Sequence, residues 1–475
     1  MNRHIVQAIL YFFGILTTIY NIFLKDLLML YSYLMERNRY INVIAVFALF
    51  CLGFFFLRAH LMEHNRYMNL IGIMTILSIC YAFSQNKKAI NYRIIMHALT
   101  LQFVIAFLVL KVNVGRWLLS LVAGGVACIY QFADVGSRFV FGHLLDSGPD
   151  GSIIFAFKVL PVIIFFGSFT AVLFHFDIIQ KAVKAISVVI QPLLGTSGAE
   201  TLCAIANSFL GQTEAPLLVR DYLKTMTKSE MLVVMVSGMG TISGAILVVF
   251  AAMGVPAPHM LAASAMAIPS TIMIAKILYP QSEETADAGA DVEFSAKTKN
   301  VFDAISQGTV DGLQLALNVA AMLISFIALL AMLDFVLGYA GIKINDVLQL
   351  IGFPLLPDLS VANIFSYLFA PFGYLLGFTG QTALDVGQLI GIKVSVNELV
   401  AYGKMMKMTL PQRAIDITTY ALCGFSNFSC IGIQIGGIGA LVPEKRQWLT
   451  ELGLYAVLGG ALSNLLSAMM AGLLL

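Results

Sequence analysis

The chain has 475 residues, of which 59% are hydrophobic and 11% are charged. Soluble domains carry about 25% charged residues, and a fold in water cannot bury so large an excess of apolar side chains. The 28 basic and 26 acidic residues leave a net charge of +2, which is too small to attract nucleic acid. The composition therefore predicts an integral membrane protein, with the lipid bilayer around it and no nucleic-acid partner.

Apolar stretches recur along the chain at the length that a membrane-spanning helix needs, about 20 residues. No alternating pattern typical of a β-barrel accompanies them, so the sequence predicts an all-α membrane protein. Residues 117–130 are expected to form either an interfacial or tilted helix or a membrane span. Residues 152–174, which contain Lys158 and Pro161, are expected to form a kinked span. The clearest predicted spans are residues 5–24, 41–57, 68–85, 94–110, 230–253, 258–278, 313–333 and 449–475.

A polar, acidic stretch between Gln281 and Asn300 separates two apolar halves of the chain. Such a division is typical of transporters that are built from internal repeats. We expect the following organisation: extra N-terminal helices (1–67), N-terminal spans and an interfacial segment (68–151), a first core half (152–280), a polar loop (281–311) and a second core half (312–475).

Polar residues interrupt the apolar pattern of the first half at Asn207–Leu217, where an amide, a glycine, a carboxylate and a proline fall within a few residues. One continuous spanning helix does not accommodate that sequence, so a helical hairpin is expected. A second interruption, residues 238–244, predicts a broken helix. Irregular backbone at membrane depth persists where it lines a cavity or is buried in protein.

The second half repeats this pattern. Asn397 and Glu398 follow the stretch from Gly387 to Lys393, and residues 424–430 interrupt a later apolar run. Two polar breaks in two halves predict a binding site between repeats. Carboxylates, amides and hydroxyls without a clustered cation suit a neutral ligand rich in hydroxyl and imide groups, whereas a phosphorylated ligand would need cations.

The same polar residues also fit purely structural roles. Glu214 and Glu398 could each cap the positive end of a half-helix. Asn207 and Asn427 could join neighbouring helices by hydrogen bonds, and Thr241 could bond to its own helix. The sequence shows no Cys or His spacing of a metal site, and no cofactor is expected.

Three strings of residues, in this order, resemble the concentrative nucleoside transporters. They are Asn207–Leu217 with Gly-Gln-Thr-Glu-Ala-Pro-Leu inside it, Asn397–Tyr402, and Ala421–Asn427. Residues 155–161 and 312–318 extend the resemblance, which covers residues 68–475. The first 67 residues lie outside the short bacterial pattern.

The resemblance implies a homotrimer with a scaffold and a mobile transport domain, in which two re-entrant hairpins and two broken helices hold substrate and sodium. It implies that Gln212, Thr213 and Glu214 meet the nucleobase, with Ile246 and Phe425 packed beside it. Glu398 and Asn427 would bind the ribose. The sodium ion would take its ligands from Asn207, Leu210, Thr213, Thr241 and Ile242.

Two departures from the family pattern concern the binding region. Cys430 stands where a serine that contacts the ribose is expected, which weakens one hydrogen bond to the sugar. Phe378-Thr379-Gly380 replaces a common Val-Pro-Trp string before the second hairpin.

Together with this resemblance, the sequence predicts a multi-pass symporter of the inner (plasma) membrane that imports nucleosides by alternating access, with sodium as the coupling ion. A proton-coupled nucleoside transporter is the nearest alternative, since burial of a carboxylate favours its protonated form. An intramembrane enzyme that uses Glu214 and Glu398 as acid and base is the alternative from another class. The enzyme is disfavoured because no nucleophile, base and orienting partner share a motif.

Overall fold

The computed structural model describes residues 58, 60–145, 155–158, 160–220, 222–283, 298–351 and 359–475. All regular secondary structure in these ranges is helical, which confirms the all-α prediction. The chain divides into two compact units, Met1–Met68 and Asn69–Leu475. The predicted N-terminal helices at 5–24 and 41–57 lie outside the described residues.

The first five α-helices in the described part of the chain lie between Tyr67 and His175. Around Pro161 the structure describes helix at residues 155–158 and 160–175. Residue 159 lies outside the described residues, so the kink expected in this span stays a prediction. The helices are α1 (Tyr67–Ala82), α2 (Tyr92–Lys111), α3 (Asn113–Phe141), α4 (Phe155–Lys158) and α5 (Leu160–His175).

The first core half continues with an amphipathic helix, which is followed by a hairpin and a broken helix. The hairpin comprises α7, an irregular turn and the 3-10 helix Ala215–Val219. The broken helix comprises α8 and α9. The ranges are α6 (Ile178–Leu194), α7 (Gly198–Ala206), α8 (Lys228–Gly240), α9 (Gly244–Ala252) and α10 (Ala257–Leu278).

The second core half repeats the same order of elements after one long helix, α11. The second hairpin comprises α13 and α14, and the second broken helix comprises α15 and α16. The ranges are α11 (Val301–Leu350), α12 (Val361–Leu375), α13 (Gly380–Ser395), α14 (Glu398–Met405), α15 (Gln412–Leu422), α16 (Phe428–Leu441) and α17 (Arg446–Leu474).

Corresponding local signals start the hairpins in both halves. Gly195 and Gly377 have positive φ angles of 67° and 86°, a conformation that glycine adopts without strain. Ser197 and Thr379 follow in extended conformation and precede the first arm of each hairpin. The Ser197 side chain forms a capping box with Glu200, which satisfies free N–H groups at the helix start.

Seven described segments are long and apolar enough to cross a membrane, or eight if the pair Val361–Leu375 and Gly380–Ser395 counts as one bent span. The broken helix of the first half, α10 and α17 are almost entirely buried, whereas α3 and the C-terminal half of α11 expose most of their apolar side chains. The buried helices therefore form the core of Asn69–Leu475, and the exposed apolar helices suit contact with lipid.

The structure corrects several predicted boundaries. The span expected at 313–333 belongs to the 50-residue helix α11, because hydropathy detects only the apolar part of a helix. Residues 301–311, assigned to a polar loop, form its first turns, since the Asn300 side chain accepts a bond from the Asp303 N–H at 2.9 Å. The segment expected at 117–130 is part of α3, which is longer. The 230–253 stretch is broken after Gly240, as the polar interruption indicates.

Candidate functional site

The first hairpin turns at residues 207–214, where helix α7 ends. The carboxylate of Glu214 accepts a hydrogen bond from the Gly211 N–H at 3.0 Å and is otherwise exposed to an internal cavity. The Gly244 N–H donates to the Phe209 carbonyl at 3.1 Å. This bond attaches the hairpin turn to the start of α9, so the turn and the first helix break form one unit.

The first helix break runs from Thr241 to Ser243. Ser243 caps α9 by accepting a hydrogen bond from the Ile246 N–H at 3.4 Å. The Thr241 hydroxyl donates to the Ser237 carbonyl at 2.8 Å, and the Asn207 amide donates to the Ser237 hydroxyl at 2.9 Å. Asn207 of the hairpin and Thr241 of the break therefore share a neighbour and lie close together.

Several oxygens in this region are left without a hydrogen bond. The side-chain oxygen of Asn207 is buried and has no hydrogen-bond partner in the described part of the chain. The main-chain carbonyls of Leu210 and Ile242 also accept no hydrogen bond from the described residues. Buried polar atoms are nearly always paired, so an unpaired set calls for an explanation. Oxygen atoms are the ligands that hard cations prefer.

The second hairpin turns at Asn397 and Glu398. Asn397 caps α14 by accepting a hydrogen bond from the Val400 N–H at 2.9 Å. Glu398 is the first residue of α14, where the helix dipole stabilises a negative charge. Its carboxylate is buried and accepts a hydrogen bond from the Asn427 amide at 3.1 Å.

The second helix break, residues 423–427, lies directly beside the first. The Phe425 N–H donates to the Thr241 carbonyl at 3.2 Å. Asn427 caps α16 by accepting from the Cys430 N–H at 3.1 Å, and the Gln212 amide donates to the Cys430 thiol at 3.2 Å. Both helix breaks and both hairpin turns therefore meet in one place.

A cavity of about 1280 Å³ opens at this meeting point. All eight residues predicted to bind substrate line it: Gln212, Thr213, Glu214, Ile246, Glu398, Phe425, Asn427 and Cys430. Of the predicted cation ligands, Thr213 lines the cavity. The other four are buried and do not line it: Asn207 and Leu210 in the hairpin turn, and Thr241 and Ile242 in the first helix break. The structure thus brings the substrate set together and places the oxygen set next to it.

The lining of the cavity also contains polar residues that were not predicted from the sequence. Gln307, Asp311, Gln314 and Asn318 of α11 line it, and so do His175 of α5 and Arg220. The spacing of 4, 3 and 4 residues along α11 is the signature of one helix face, and that signal is present in the sequence. Asp311 and His175 were missed because each residue, taken singly, also fits a helix cap or an interface anchor.

The fold and the site define a multi-pass helical membrane transporter: two hairpins and two broken helices from repeated halves surround one polar cavity. Comparison with known sequences then gives the family. The family described as "Na+ dependent nucleoside transporter" matches through its N-terminal part at residues 71–144 and its C-terminal part at residues 259–472. A family described as "Nucleoside recognition" matches residues 156–257.

Similar proteins agree with this assignment. Nucleoside permease NupC of Helicobacter pylori is 38% identical over 406 residues, which cover 83% of this chain and 94% of that protein. Sodium/nucleoside cotransporter 1 of Rattus norvegicus is 35% identical over 418 residues, 84% of this chain and 62% of the rat protein. The structure of CNTnw in an inward-facing substrate-bound state superimposes with a TM-score of 0.79 at 37% identity, covering 86% of this chain and 98% of that chain.

The chain belongs to the concentrative nucleoside transporter family. It is therefore a transporter rather than an enzyme, and the intramembrane-enzyme alternative is set aside, since its relatives are nucleoside transporters. The membership also confirms the resemblance that the three sequence strings carry.

Proposed function

We propose that this protein is a sodium-coupled symporter that imports nucleosides across the plasma membrane by alternating access. The observation that carries the proposal is the cavity, in which side chains of both hairpins and both helix breaks face one space. Binding sites of repeat-built transporters form at such a junction, with half-helix ends directed at the ligand.

The chemistry of the cavity suits a nucleoside. The amide of Gln212 offers a donor and an acceptor, the pairing that side-chain amides use to bind base edges. Glu398 and Asn427 lie at the N-termini of α14 and α16 and are already joined by a hydrogen bond. A carboxylate beside an amide is well suited to accept and donate hydrogen bonds to the two ribose hydroxyls. Ile246 and Phe425 provide apolar surface for the base.

The sodium site that we propose comprises Asn207, Leu210, Thr213, Thr241 and Ile242. Support comes from the unpaired Asn207 oxygen and the free carbonyls of Leu210 and Ile242. A single hard cation would be coordinated by all of these oxygens simultaneously. Because the Phe425 N–H donates to the Thr241 carbonyl, ion binding at the first break would stabilise the second break, where the nucleoside binds.

Relatives support the choice of substrate and ion. The Helicobacter pylori protein is named a nucleoside permease, and the rat protein a sodium/nucleoside cotransporter. Both matches span more than four-fifths of this chain.

Alternating access needs a fixed wall against which the binding domain moves. Helices α5 and α11 suit that role because Gly167 and Gly312 bring their backbones into close contact: a Cβ atom on Gly167 would lie 2.9 Å from the Gly312 Cα. The exposed apolar faces of α3 and α11 suit lipid and contacts between copies. We propose that the protein assembles as a homotrimer through this scaffold.

Uptake into proteoliposomes tests the proposal. Labelled uridine and adenosine should accumulate when sodium is high outside, and chemical analysis of the contents should recover them unchanged. Uptake that ignores sodium, follows external pH and collapses with a proton uncoupler would instead support the proton-coupled alternative. Absence of any nucleoside uptake by folded, monodisperse protein would contradict the proposal that nucleosides are the substrate.

A further inference from the structure

Lys393 is a fully buried lysine in α13, the first arm of the second hairpin, with 1% of its surface exposed. Its ammonium donates to the Asn464 side-chain oxygen at 2.6 Å and to the Ala421 carbonyl at 3.3 Å. A buried ammonium is stable only where acceptors replace its water. Lys393 is therefore held at the end of α15 rather than directed at the cavity.

Asn464 of α17 fixes this arrangement. Its amide nitrogen donates to the Gly240 carbonyl at 2.7 Å and to the Cys423 carbonyl at 2.8 Å. Since both partners only accept hydrogen bonds, the orientation of the amide follows, and its oxygen must face Lys393. The same oxygen also accepts from the Ser426 hydroxyl at 3.2 Å.

The carbonyls in this cluster belong to the C-terminal ends of two half-helices. Helix α8 ends at Gly240 and α15 ends at Leu422. The last carbonyls of a helix are unpaired and carry the negative end of its dipole. The ammonium of Lys393 contacts the end of α15 directly and is connected to the end of α8 through Asn464. A fixed positive charge thus lies where two negative helix ends converge.

In the described part of the first half, no buried lysine or arginine is bonded to the hairpin turn or to the helix break, and Arg220, which lines the cavity, is exposed. Glu214 accepts one hydrogen bond from backbone, and within the described ranges no lysine or arginine forms an ion pair with it. The other buried acid of that hairpin, Glu200, is already paired with Lys276 at 2.7 Å. The unpaired oxygen of Asn207 lies in this half as well. The second half instead buries Lys393 and Glu398 in the same hairpin.

We propose that Lys393 is a tethered cation, which performs in the second half the role that a diffusible coupling ion performs in the first. The second helix break then needs no ion from solution, and each nucleoside is carried with one coupling ion. This inference rests on the ion-coupled transport proposed above. It concerns the number of ions and not their identity.

Wild-type protein in proteoliposomes tests the number directly. The membrane potential is set with potassium and valinomycin, the gradients of ion and uridine are fixed, and the potential of zero net uridine flux is measured. One ion per uridine is expected, and two ions would overturn the inference. If protons rather than sodium set this potential, the proposed coupling ion fails, but the count of protons per uridine still decides the role of Lys393.

Variants test the residue itself, with uridine binding measured by calorimetry over a range of sodium concentrations. The logarithmic slope of affinity against sodium counts the ions bound with uridine, so we expect about one for wild type and about two for Lys393→Ala, whose vacated space admits a second cation. Methylammonium should restore binding to this variant. Lys393→Arg, which keeps the charge, should keep the wild-type slope.

Lys445→Met is the matched control, because Lys445 is also buried and donates to a main-chain carbonyl, that of Met226, away from both helix breaks. It should leave the slope unchanged. The inference is overturned if Lys393→Ala keeps wild-type affinity and slope, or if monodisperse Lys393→Ala recovers with neither high sodium nor methylammonium. Should that variant not fold, the wild-type ion count decides.

Discussion

The amide of Asn427 donates a hydrogen bond of 3.1 Å to the carboxylate of Glu398. The two residues begin separate helices, α16 and α14, so their bond connects the second helix break to the turn of the second hairpin. Glu398 at the start of α14 and Asn427 at the start of α16 both line the cavity. A ligand that bonds to one residue therefore meets the other at the same time.

Glu398→Gln and Asn427→Ala should each weaken uridine binding about 10- to 100-fold, because a lost hydrogen bond to a charged group costs about 1.5–3 kcal/mol. Calorimetry on monodisperse protein measures the affinity. Glu451→Gln is the control, since Glu451 pairs with Lys228 at an exposed position, where ion pairs contribute little. Near-normal affinity in both cavity variants would contradict the assignment of these residues to the ribose.

Gly437 and Gly436 are adjacent glycines of α16 with opposite surroundings. A Cβ atom on Gly437 would lie 2.6 Å from the Thr213 methyl carbon, whereas a Cβ atom on Gly436 would have no neighbour within 4 Å. Gly437→Ala should therefore displace Thr213 from the cavity and lower uridine affinity, at a cost of about 1–3 kcal/mol for overpacking. Uridine binding by the two alanine variants provides the comparison.

The expected result for Gly436→Ala is unchanged binding and equal or higher thermal stability, because alanine favours a helix by about 1 kcal/mol over glycine. Equal affinities in the two variants would mean that Thr213 does not contact the substrate. Loss of binding in both would mean that α16 tolerates no added side chain at either glycine.

The sequence predicts those elements whose signals are local. The span expected at 258–278 is observed at Ala257–Leu278, because an uncharged apolar run and its flanking polar residues suffice to define it. Helix α11 was predicted too short, because its polar face of Gln307, Asp311 and Gln314 lowers hydropathy while lining the cavity. The structural role of Asn464 was not predicted, because one amide within an apolar helix does not reveal hydrogen-bond partners that lie more than 40 residues away in sequence.

Asn207→Ala should raise the sodium concentration needed for uridine binding about tenfold or more, because the substitution removes one proposed ligand and a buried hydrogen bond to Ser237. At saturating sodium the uridine affinity should return close to the wild-type value. Calorimetry at several sodium concentrations measures both quantities.

Ser208→Ala is the control for this variant, since the neighbouring Ser208 hydroxyl donates to the Ser264 carbonyl at 3.1 Å and belongs to neither proposed site. It should keep the wild-type sodium dependence. If Asn207→Ala binds uridine with an unchanged sodium requirement, the oxygen set around the first break does not hold the ion.

Cys430 lies where the two proposed parts of the substrate site meet. Its thiol accepts a hydrogen bond from the Gln212 amide at 3.2 Å, and its N–H donates to the Asn427 side-chain oxygen at 3.1 Å. The side chain is 3% exposed and lines the cavity. These contacts favour a role beside the substrate over simple packing against a neighbouring helix.

A thiol is a weaker hydrogen-bond donor and acceptor than a hydroxyl, and sites that bond a substrate hydroxyl strongly reject analogues that lack it. Cys430→Ser should therefore increase the preference for uridine over deoxyuridine, by about 5- to 10-fold for one hydrogen bond worth about 1 kcal/mol or slightly more. Competition by deoxyuridine against labelled uridine in proteoliposomes measures the ratio. Cys80→Ser, at a buried thiol that does not line the cavity, controls for the chemistry of the substitution. Identical competition curves for wild type and Cys430→Ser would mean that this side chain does not contact the sugar, and that the departure from serine at this position leaves sugar selectivity to Glu398 and Asn427.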